Sequence, residues 1–255
     1  GYVAYTAIMA PIVQGEQTVY IQVRPEDKTI SILDKLTSVA DFKSTTGFTP
    51  LMKHYKYDSH IKPGNYAIRP GDSMRDICLR LLSGNQTPVK LVVPSVRTLD
   101  RLAGAVARQL MTDSASIARF LTDQHLIDSL GYTTETFPTL FIPNTYEVYW
   151  TMTADQLFAR MYKEYQRFWT EERQAKAKKL GLSPVEVATL ASIVASETNK
   201  KDEYPIIASL YLNRLRKGIA LQACPTVIYA VGDFSLRRVL KRHLRIDSPY
   251  NTYTR

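Results

Sequence analysis

The hydrophobic pattern of the chain changes after Pro94, and this change limits the folds that are open to it. Before that point, apolar residues alternate over short stretches such as TVYIQVR (18–24) and VKLVVP (89–94), as they do in half-buried strands. After it, apolar residues recur every three or four positions, which is the period of a helix. We therefore predict an α+β protein, with a small α/β module followed by a mainly helical domain.

Two helices are expected within the first module. Residues 29–42 have helical periodicity, and a second helix follows the short strand predicted at 66–70. Asp72 or Ser73 is placed to cap that second helix, and Gly84 to end it. Its inward side is expected to carry Met74, Ile77, Cys78, Leu81 and Leu82.

Helices also dominate the prediction beyond Pro94. They are expected at 98–110 and 114–123, with a long helix between Thr153 and Gly181. The inward residues of that long helix are expected to be Leu157, Met161, Tyr165 and Phe168. The aromatic stretch 137–150 holds two prolines and no helical period, so a structured loop with strand pieces is expected there.

A pair of helices follows, and the first of them has a strong start signal. Ser183 is placed at the N-cap, Pro184 at the first helical position and Glu186 at the third, as in a capping box. The second helix is expected to begin within 202–205 and to end at Gly218.

The apolar stripe of the helix after Ser183 ends in a carboxylate. Glu197 lies on the helix face that carries Leu190, Ile193 and Val194. Burial there and the negative end of the helix dipole would both favour the protonated carboxylic acid. A protonated carboxyl group is what a glycosidic oxygen requires of a general acid. The alternative is that the helix has frayed and Glu197 is an ordinary solvated residue.

The chain is basic, with a formal net charge of +9. Basic residues are densest at 173–179 and 235–245. Such a surface suits an acidic polymer, an anionic membrane or nucleic acid, or simply keeps the protein soluble. The sequence has no Gly-rich phosphate loop and no RNA-binding aromatic signature, so we expect no nucleic-acid partner.

Cysteine and histidine spacing indicates no metal site. The four histidines are scattered, and neither H-x3-H nor HExxH occurs. Cys78 and Cys224 lie 146 positions apart and could be free thiols or a pair. No metal or other cofactor is therefore expected.

The first residues, GYVAYTAIMAP, include ten without a charge, which is too few to span a bilayer. They are either the outer end of a membrane anchor or a first strand. If they belong to an anchor, the remainder lies outside the cytoplasm.

Several segments occur in the order and spacing of a known family. The matching residues are Ala191–Val194, Glu197-Thr198, Asn213–Leu215, Leu221-Gln222, Pro225–Val227 with Tyr229, and Tyr250–Tyr253. With FIPNTYEVYW (141–150), they make the chain resemble the endolytic murein transglycosylase family, also called YceG-like. Residues 61–85 resemble the LysM-like module of that family. Three positions depart from the family pattern, because Ala195 replaces a glutamate and Asn144 and Cys224 replace aspartates.

The resemblance implies three segments and a location. Residues 1–17 would be the end of a membrane anchor or a linker, 18–95 a LysM-like module, and 96–255 a lytic-transglycosylase-like catalytic domain that is C-terminally incomplete. The family's single-pass anchor implies an inner (plasma) membrane protein whose catalytic part faces the periplasm or the cell exterior.

The resemblance also implies an activity. It is cleavage of the MurNAc–GlcNAc β-1,4 bond within peptidoglycan strands, which leaves 1,6-anhydro-MurNAc ends. Glu197 would be the general acid and base, with no cofactor. The expected partners are the glycan strands, the membrane and wall-synthesis proteins. The substrate-binding residues expected from the resemblance are Asn144, Tyr146, Glu203, Asn213, Gln222, Thr226, Tyr229, Tyr250, Asn251 and Tyr253.

Two other functions remain open at this point. A hydrolytic muramidase would require a second carboxylate to activate water, and Asp202, Glu203 or Asp247 could supply it. A non-catalytic peptidoglycan-binding protein would rely on the LysM-like module instead, and retention of Glu197 argues against it.

Overall fold

The computed structural model describes residues 8–254 and combines helices with two small sheets, which agrees with the predicted α+β class. The strands are β1 (Val19–Val23), β2 (Gly64–Ile68), β3 (Val89–Val93) and β4 (Asn144–Val148). The helices are α1 (Thr29–Val39), α2 (Phe48–His54), α3 (Met74–Ser83), α4 (Leu99–Ala107), α5 (Ser114–Leu121), α6 (Gln124–Ser129), α7 (Ala154–Phe168), α8 (Glu171–Lys179), α9 (Pro184–Glu197), α10 (Tyr204–Arg216) and α11 (Cys224–Val231). Short 3-10 turns lie at Tyr57–Ser59, Phe137–Leu140, Lys201–Glu203 and His243–Arg245.

Each sheet is a single antiparallel pair. β1 pairs with β2, with Val19 opposite Ile68, and β3 pairs with β4, with Val89 opposite Val148. The strand predicted at 89–94, which was expected to end the first module, therefore has β4 as its partner. The main-chain groups of β3 are bonded to a strand that comes much later in the chain, inside the aromatic stretch.

The described chain divides into two compact units. The first takes the chain as far as Thr134 together with Phe141–Tyr162. The second consists of Glu135–Leu140 and the residues from Lys163 onward. The predicted domain boundary near residue 95 does not coincide with this division and stays a prediction, as does the LysM-like character of the first module.

The first unit has its core around β1, β2 and α3. The residues predicted to face inward on α3 do so: Met74, Ile77, Cys78 and Leu81 are buried, and Leu82 is half-buried. Ile12 and Val13 are buried in the same core. Part of the segment expected to be a linker or anchor end is therefore packed, and the rest of that segment, residues 1–7, lies outside the described residues.

A buried ion pair fastens α3 to β2. The guanidinium group of Arg80 donates to both carboxylate oxygens of Asp72, at 2.7 and 3.1 Å, and to the Ala67 carbonyl oxygen at 2.6 Å. Each of the two charged side chains is 10% exposed. The same carboxylate accepts from the Arg69 main-chain N–H at 2.8 Å, so most of its hydrogen-bonding capacity is used inside the protein.

The single long helix predicted from Thr153 to Gly181 is wrong. Thr170 adopts extended backbone, and its hydroxyl accepts from the Arg173 N–H at 3.3 Å, so it caps a new helix, α8. Trp169 is buried at the break, whereas Phe168, which was predicted to face inward, is 37% exposed. Of the other predicted inward residues, Leu157 and Met161 are buried, and Tyr165 is half-buried.

The helix pair that carries the candidate site begins and ends as predicted. At the start of α9, the Ser183 hydroxyl accepts from the Glu186 N–H at 3.3 Å, and the Glu186 carboxylate accepts from the Ser183 N–H at 2.7 Å. The bond from the Ser183 N–H, and then one that the Ser183 hydroxyl donates to the same carboxylate at 2.8 Å, hold the pKa of Glu186 below its usual value. Beyond α10, Gly218 has a φ of 63°, a backbone conformation that favours glycine.

No helix within residues 8–254 is by itself long and apolar enough to cross a bilayer, and α8 and α9 reach that length and composition only as a pair bent by 76°.

Candidate active site

Glu197 is the last residue of α9, and its carboxylate is held by one phenol group. Its Oε1 accepts a hydrogen bond of 2.7 Å from the hydroxyl of Tyr211, which lies on α10. Tyr211 is only 5% exposed, whereas Glu197 is exposed. The expectation that burial desolvates the carboxyl group is therefore wrong, because the helix delivers it to the surface of its unit.

A small apolar cluster fixes the helices around Glu197. Val194, Tyr211 and Ala223 are its buried members, one each from α9, α10 and the residue before α11. The half-buried residues packed against them are Leu190, Ile193, Tyr204, Ile207, Ala208 and Leu221. Since Leu190, Ile193 and Val194 belong to the stripe that predicted this helix, the stripe does serve to anchor the turn that bears Glu197.

Glu203 lies in the connection between α9 and α10, and its carboxylate is already engaged. The Thr198 hydroxyl donates to Oε2 at 2.7 Å, and the Lys200 ammonium lies 3.4 Å from Oε1. The Lys200 N–H in turn donates to the Thr198 hydroxyl at 3.1 Å. In this structure Glu203 therefore orders the turn that follows Glu197.

Gln222 has a strained backbone that two neighbours hold in place. Its φ is 55°, in the left-handed region that a residue with a side chain rarely occupies, at a cost on the order of 1 kcal/mol. Its N–H donates to the Thr252 carbonyl oxygen at 2.9 Å, and its side-chain Oε1 accepts from Arg214 at 2.9 Å. Arg214 is itself fixed by donating to the Ala220 carbonyl oxygen at 2.7 Å.

Thr226 and Thr252 tie α11 to the end of the chain. Thr226 is buried. Its hydroxyl donates to the Ala223 carbonyl oxygen at 2.8 Å and lies 2.8 Å from the Thr252 hydroxyl. The Thr252 hydroxyl also accepts from the Ala223 N–H at 2.9 Å. The predicted substrate-binding hydroxyl of Thr226 is thus committed to the protein.

Asn251 is also committed to the protein, with a residue exposure of 0%. Its amide nitrogen donates to the carbonyl oxygens of Leu244 and Ile246 at 3.1 and 2.8 Å, and its Oδ1 accepts from the Tyr253 N–H at 3.0 Å. One buried amide therefore joins the basic stretch at 235–245 to the Tyr250–Tyr253 segment.

Three predicted tyrosines lie in the second unit. Tyr229 and Tyr250 are more than a third exposed, and their rings meet edge to face with centroids 4.8 Å apart. The Tyr253 hydroxyl lies 3.4 Å from the Cys224 sulfur. That hydrogen bond, then burial and the charges of Cys224 and Glu197, raise the pKa of Tyr253 to about 12. Asn213 is exposed on α10.

The remaining two predicted site residues, Asn144 and Tyr146, belong to β4 in the first unit. Tyr146 is 6% exposed and donates to the Ile142 carbonyl oxygen at 2.6 Å. Asn144 is exposed and accepts from the neighbouring Thr145 N–H at 2.8 Å. Their substrate-binding role stays a prediction.

Sequence reasoning missed Tyr211 and Thr252 as parts of this site. The signal for Tyr211 is present, since it follows Ile207 and Ala208 by four and three positions on the inner face of α10. A polar atom at the end of that stripe resembles the arrangement of Glu197 on α9. Thr252 belongs to the matching segment Tyr250–Tyr253, but no local pattern assigns its role, because its contacts are with residues far away in the sequence.

The two cysteines are free, and they should differ sharply in reactivity. Cys78 is 1% exposed, and burial raises the pKa of its thiol to about 12. Cys224 is exposed. We expect iodoacetamide to modify Cys224 in the folded protein and to reach Cys78 only in denaturant, because the thiolate is the reacting species. Peptide mass spectrometry would show this order, and a Cys78–Cys224 disulfide would contradict it.

Comparison with known proteins is consistent across sequence and structure. The sequence model of the YceG-like family matches residues 21–255. A Bacillus subtilis protein named endolytic murein transglycosylase is 27% identical, over 97% of this chain and 72% of that protein. A Streptococcus pneumoniae protein of the same name is also 27% identical, over 85% of this chain, and the chain spans only 46% of its length.

A solved structure shows the same likeness. A YceG-like protein of Listeria monocytogenes superimposes with a TM-score of 0.59 at 25% sequence identity, over 93% of this chain and 83% of that one.

Proposed function

The chain belongs to the YceG-like family, and from this premise we propose that it is a peptidoglycan lytic transglycosylase with Glu197 as its general acid and base. The relatives in Bacillus subtilis and Streptococcus pneumoniae are named endolytic murein transglycosylases. The observation that carries the proposal for this chain is the Glu197 carboxylate, held by Tyr211 through Oε1 at 2.7 Å and exposed at a helix end.

The proposed reaction begins with protonation. Glu197, as a carboxylic acid, gives its proton to the oxygen that joins MurNAc C1 to the next sugar, and the C1–O bond breaks. The carboxylate then takes the proton of the C6 hydroxyl group of the same MurNAc, whose oxygen bonds to C1. The products are a 1,6-anhydro end and a strand with a free hydroxyl, and no water is consumed.

An exposed acid suits cleavage within a long strand. A polymer that is cut internally must reach the acid from both sides, which a deeply enclosed carboxylate would prevent. Glu197 is exposed, while the tyrosine that holds it is buried, so the reacting group is both accessible and anchored. This arrangement supports endolytic over end-restricted cleavage.

The predicted substrate-binding residues of the second unit divide into two groups. Gln222, Asn213 and the rings of Tyr229, Tyr250 and Tyr253 are proposed to contact sugars, because amides and aromatic faces recognise hydroxyl, N-acetyl and ring surfaces. Three predicted contacts are instead proposed to hold the surrounding backbone in place: Glu203, Thr226 and Asn251. Their polar groups are bonded within the protein.

The basic stretch at 235–245 is proposed to face the acidic stem peptides of the glycan. Arg237, Arg238, Lys241, Arg242 and Arg245 are all exposed. The substrate lies outside the cytoplasm, so the site is proposed to act there. A membrane anchor and contacts with wall-synthesis proteins remain parts of the proposal that rest on the family resemblance alone.

The mass of the products tests the proposal. Insoluble peptidoglycan would be digested with the complete protein, and the released muropeptides analysed by mass spectrometry. We expect ends that are lighter by one water molecule than hydrolysed ends, which identifies the anhydro product. Ordinary reducing ends would indicate a hydrolytic muramidase. Co-sedimentation with peptidoglycan without any released muropeptide would indicate a binding protein, and either result would overturn the proposal.

A further inference from the structure

We propose that Tyr211 positions Glu197 and decides which of its two carboxyl oxygens carries the reacting proton. The inference rests on the proposed function, since it assigns a role within that reaction. It concerns a residue that neither the motif resemblance nor the charge pattern identifies.

The hydrogen bond itself distinguishes the two oxygens. The Tyr211 hydroxyl donates to Oε1 of Glu197 at 2.7 Å, so this oxygen already faces a hydrogen atom. As long as the Tyr211 hydroxyl donates to Oε1 when Glu197 is protonated, the acidic proton lies on Oε2, because two hydrogen atoms cannot point at each other along one short contact. Oε2 is then the oxygen that donates to the glycosidic oxygen and later accepts from the C6 hydroxyl.

The surroundings of Tyr211 make it a fixed reference point. It is 5% exposed and belongs to the buried cluster with Val194 and Ala223, whereas Glu197 is exposed at the end of its helix, where helices fray. Within residues 8–254, the phenol of Tyr211 is the one side chain hydrogen-bonded to the Glu197 carboxylate. Without it, the reacting carboxyl group would rotate among several staggered conformations.

The bond also responds to the reaction. After Glu197 has given up its proton, Oε1 carries part of a negative charge, and a hydrogen bond to an ionised acceptor is roughly twice as strong as a neutral one. Tyr211 therefore stabilises the carboxylate at the stage when it forms. The hydroxyl remains a donor, because burial and then the bond to Glu197 and its charge raise the pKa of Tyr211 well above its ordinary value of 10.0.

The variant Tyr211→Phe tests the role, since it keeps the ring in the cluster and removes only the hydroxyl group. We expect kcat on soluble, uncrosslinked glycan strands to fall by at least about tenfold, because small misplacements of a reacting group cost up to about a hundredfold. KM should change by less than about twofold, since phenylalanine preserves the sugar-binding surface and only the reacting step needs the oriented proton.

The control is Tyr204→Phe, which removes a hydroxyl from the same helix and the same cluster at a residue that, within residues 8–254, has no hydrogen bond to Glu197. It should keep kcat near the parent value. If kcat fell equally in both variants, or if only KM increased, the effect would be one on packing in general, and the inference would be overturned.

A double variant separates an effect through Glu197 from an independent one. If Tyr211 acts through Glu197, adding Tyr211→Phe to Glu197→Gln should slow the residual reaction by less than about twofold, because coupled residues are not additive. A further tenfold loss would overturn the inference.

Failure of the inference can be told apart from failure of the proposed function. If Glu197→Gln is slow and Tyr211→Phe is as fast as the parent, the positioning role of Tyr211 is wrong, and Glu197 is retained as the general acid. If Glu197→Gln itself keeps the parent rate, both the proposed function and the positioning role of Tyr211 are wrong.

Discussion

Glu197→Gln is expected to lower the rate of glycan cleavage at least about a hundredfold, the low end of what general acid–base catalysis contributes. The amide keeps the shape of the carboxyl group, and its oxygen can still accept from the Tyr211 hydroxyl. It cannot donate a proton to the leaving oxygen or recover one from the C6 hydroxyl. The measurement is the initial rate of anhydro-muropeptide release by the complete protein.

Glu172→Gln is the matched control for this variant. Glu172 lies on α8 in the same unit, and its exposed carboxylate pairs with Lys176 at 2.6 Å. It loses the same charge without touching the proposed site, so it should retain the parent rate. Both variants should melt within a few degrees of the parent, because each removes an exposed charge. A Glu197→Gln variant with near-parent activity would remove Glu197 as the acid and leave Glu203 to be tested.

Arg80→Met is expected to lower the free energy of unfolding by about 3–5 kcal/mol, the range for breaking one side of a buried ion pair. Arg80 and Asp72 are each 10% exposed, and Arg80 also satisfies the Ala67 carbonyl oxygen. Methionine restores the packing of the aliphatic stem but leaves the Asp72 carboxylate buried with the Arg69 main-chain N–H as its donor. Urea unfolding followed by circular dichroism measures the change.

Two further variants make this result interpretable. Lys176→Met removes one partner of an exposed pair and should cost less than about 1 kcal/mol. The double variant with Arg80→Met and Asp72→Asn should lose less stability than the sum of the single variants, because no uncompensated charge remains. Strict additivity would mean that the two side chains stabilise the fold independently.

Sequence predicted the fold best where the physical signal is local. The start of α9 depends on Ser183 and Glu186, which are three positions apart and bond to each other. The inward residues of α3 follow from a 3.6-residue period. These features need no knowledge of the rest of the chain.

Sequence failed where the decisive contact is distant or depends on one residue. The pairing of β3 with β4 joins segments that no local pattern connects. A single long helix was predicted across Thr170, yet the extended backbone at Thr170 interrupts it. Threonine is compatible with a helix interior and with an N-cap, so the residue type alone does not reveal the break, at which Trp169 is buried.

The candidate site was predicted in part for the same reason. The apolar face of α9 drew attention to Glu197, but a stripe cannot tell whether its last residue is buried or emerges at the surface. Motif matching selected Thr226 and Asn251 as substrate-binding residues without showing that their polar atoms are bonded within the protein. Conversely, it passed over Tyr211, which touches Glu197.

The buried amide of Asn251 has a consequence for how the end of the chain can move. It bonds to main-chain atoms of Leu244, Ile246 and Tyr253 at once, so none of these segments can leave the protein surface without breaking a bond to the same side chain. Local unfolding in proteins proceeds in such cooperative pieces. The basic stretch and the exposed Tyr250 ring would then open together, which couples the order of the proposed peptide-binding surface to that of the proposed sugar-binding surface.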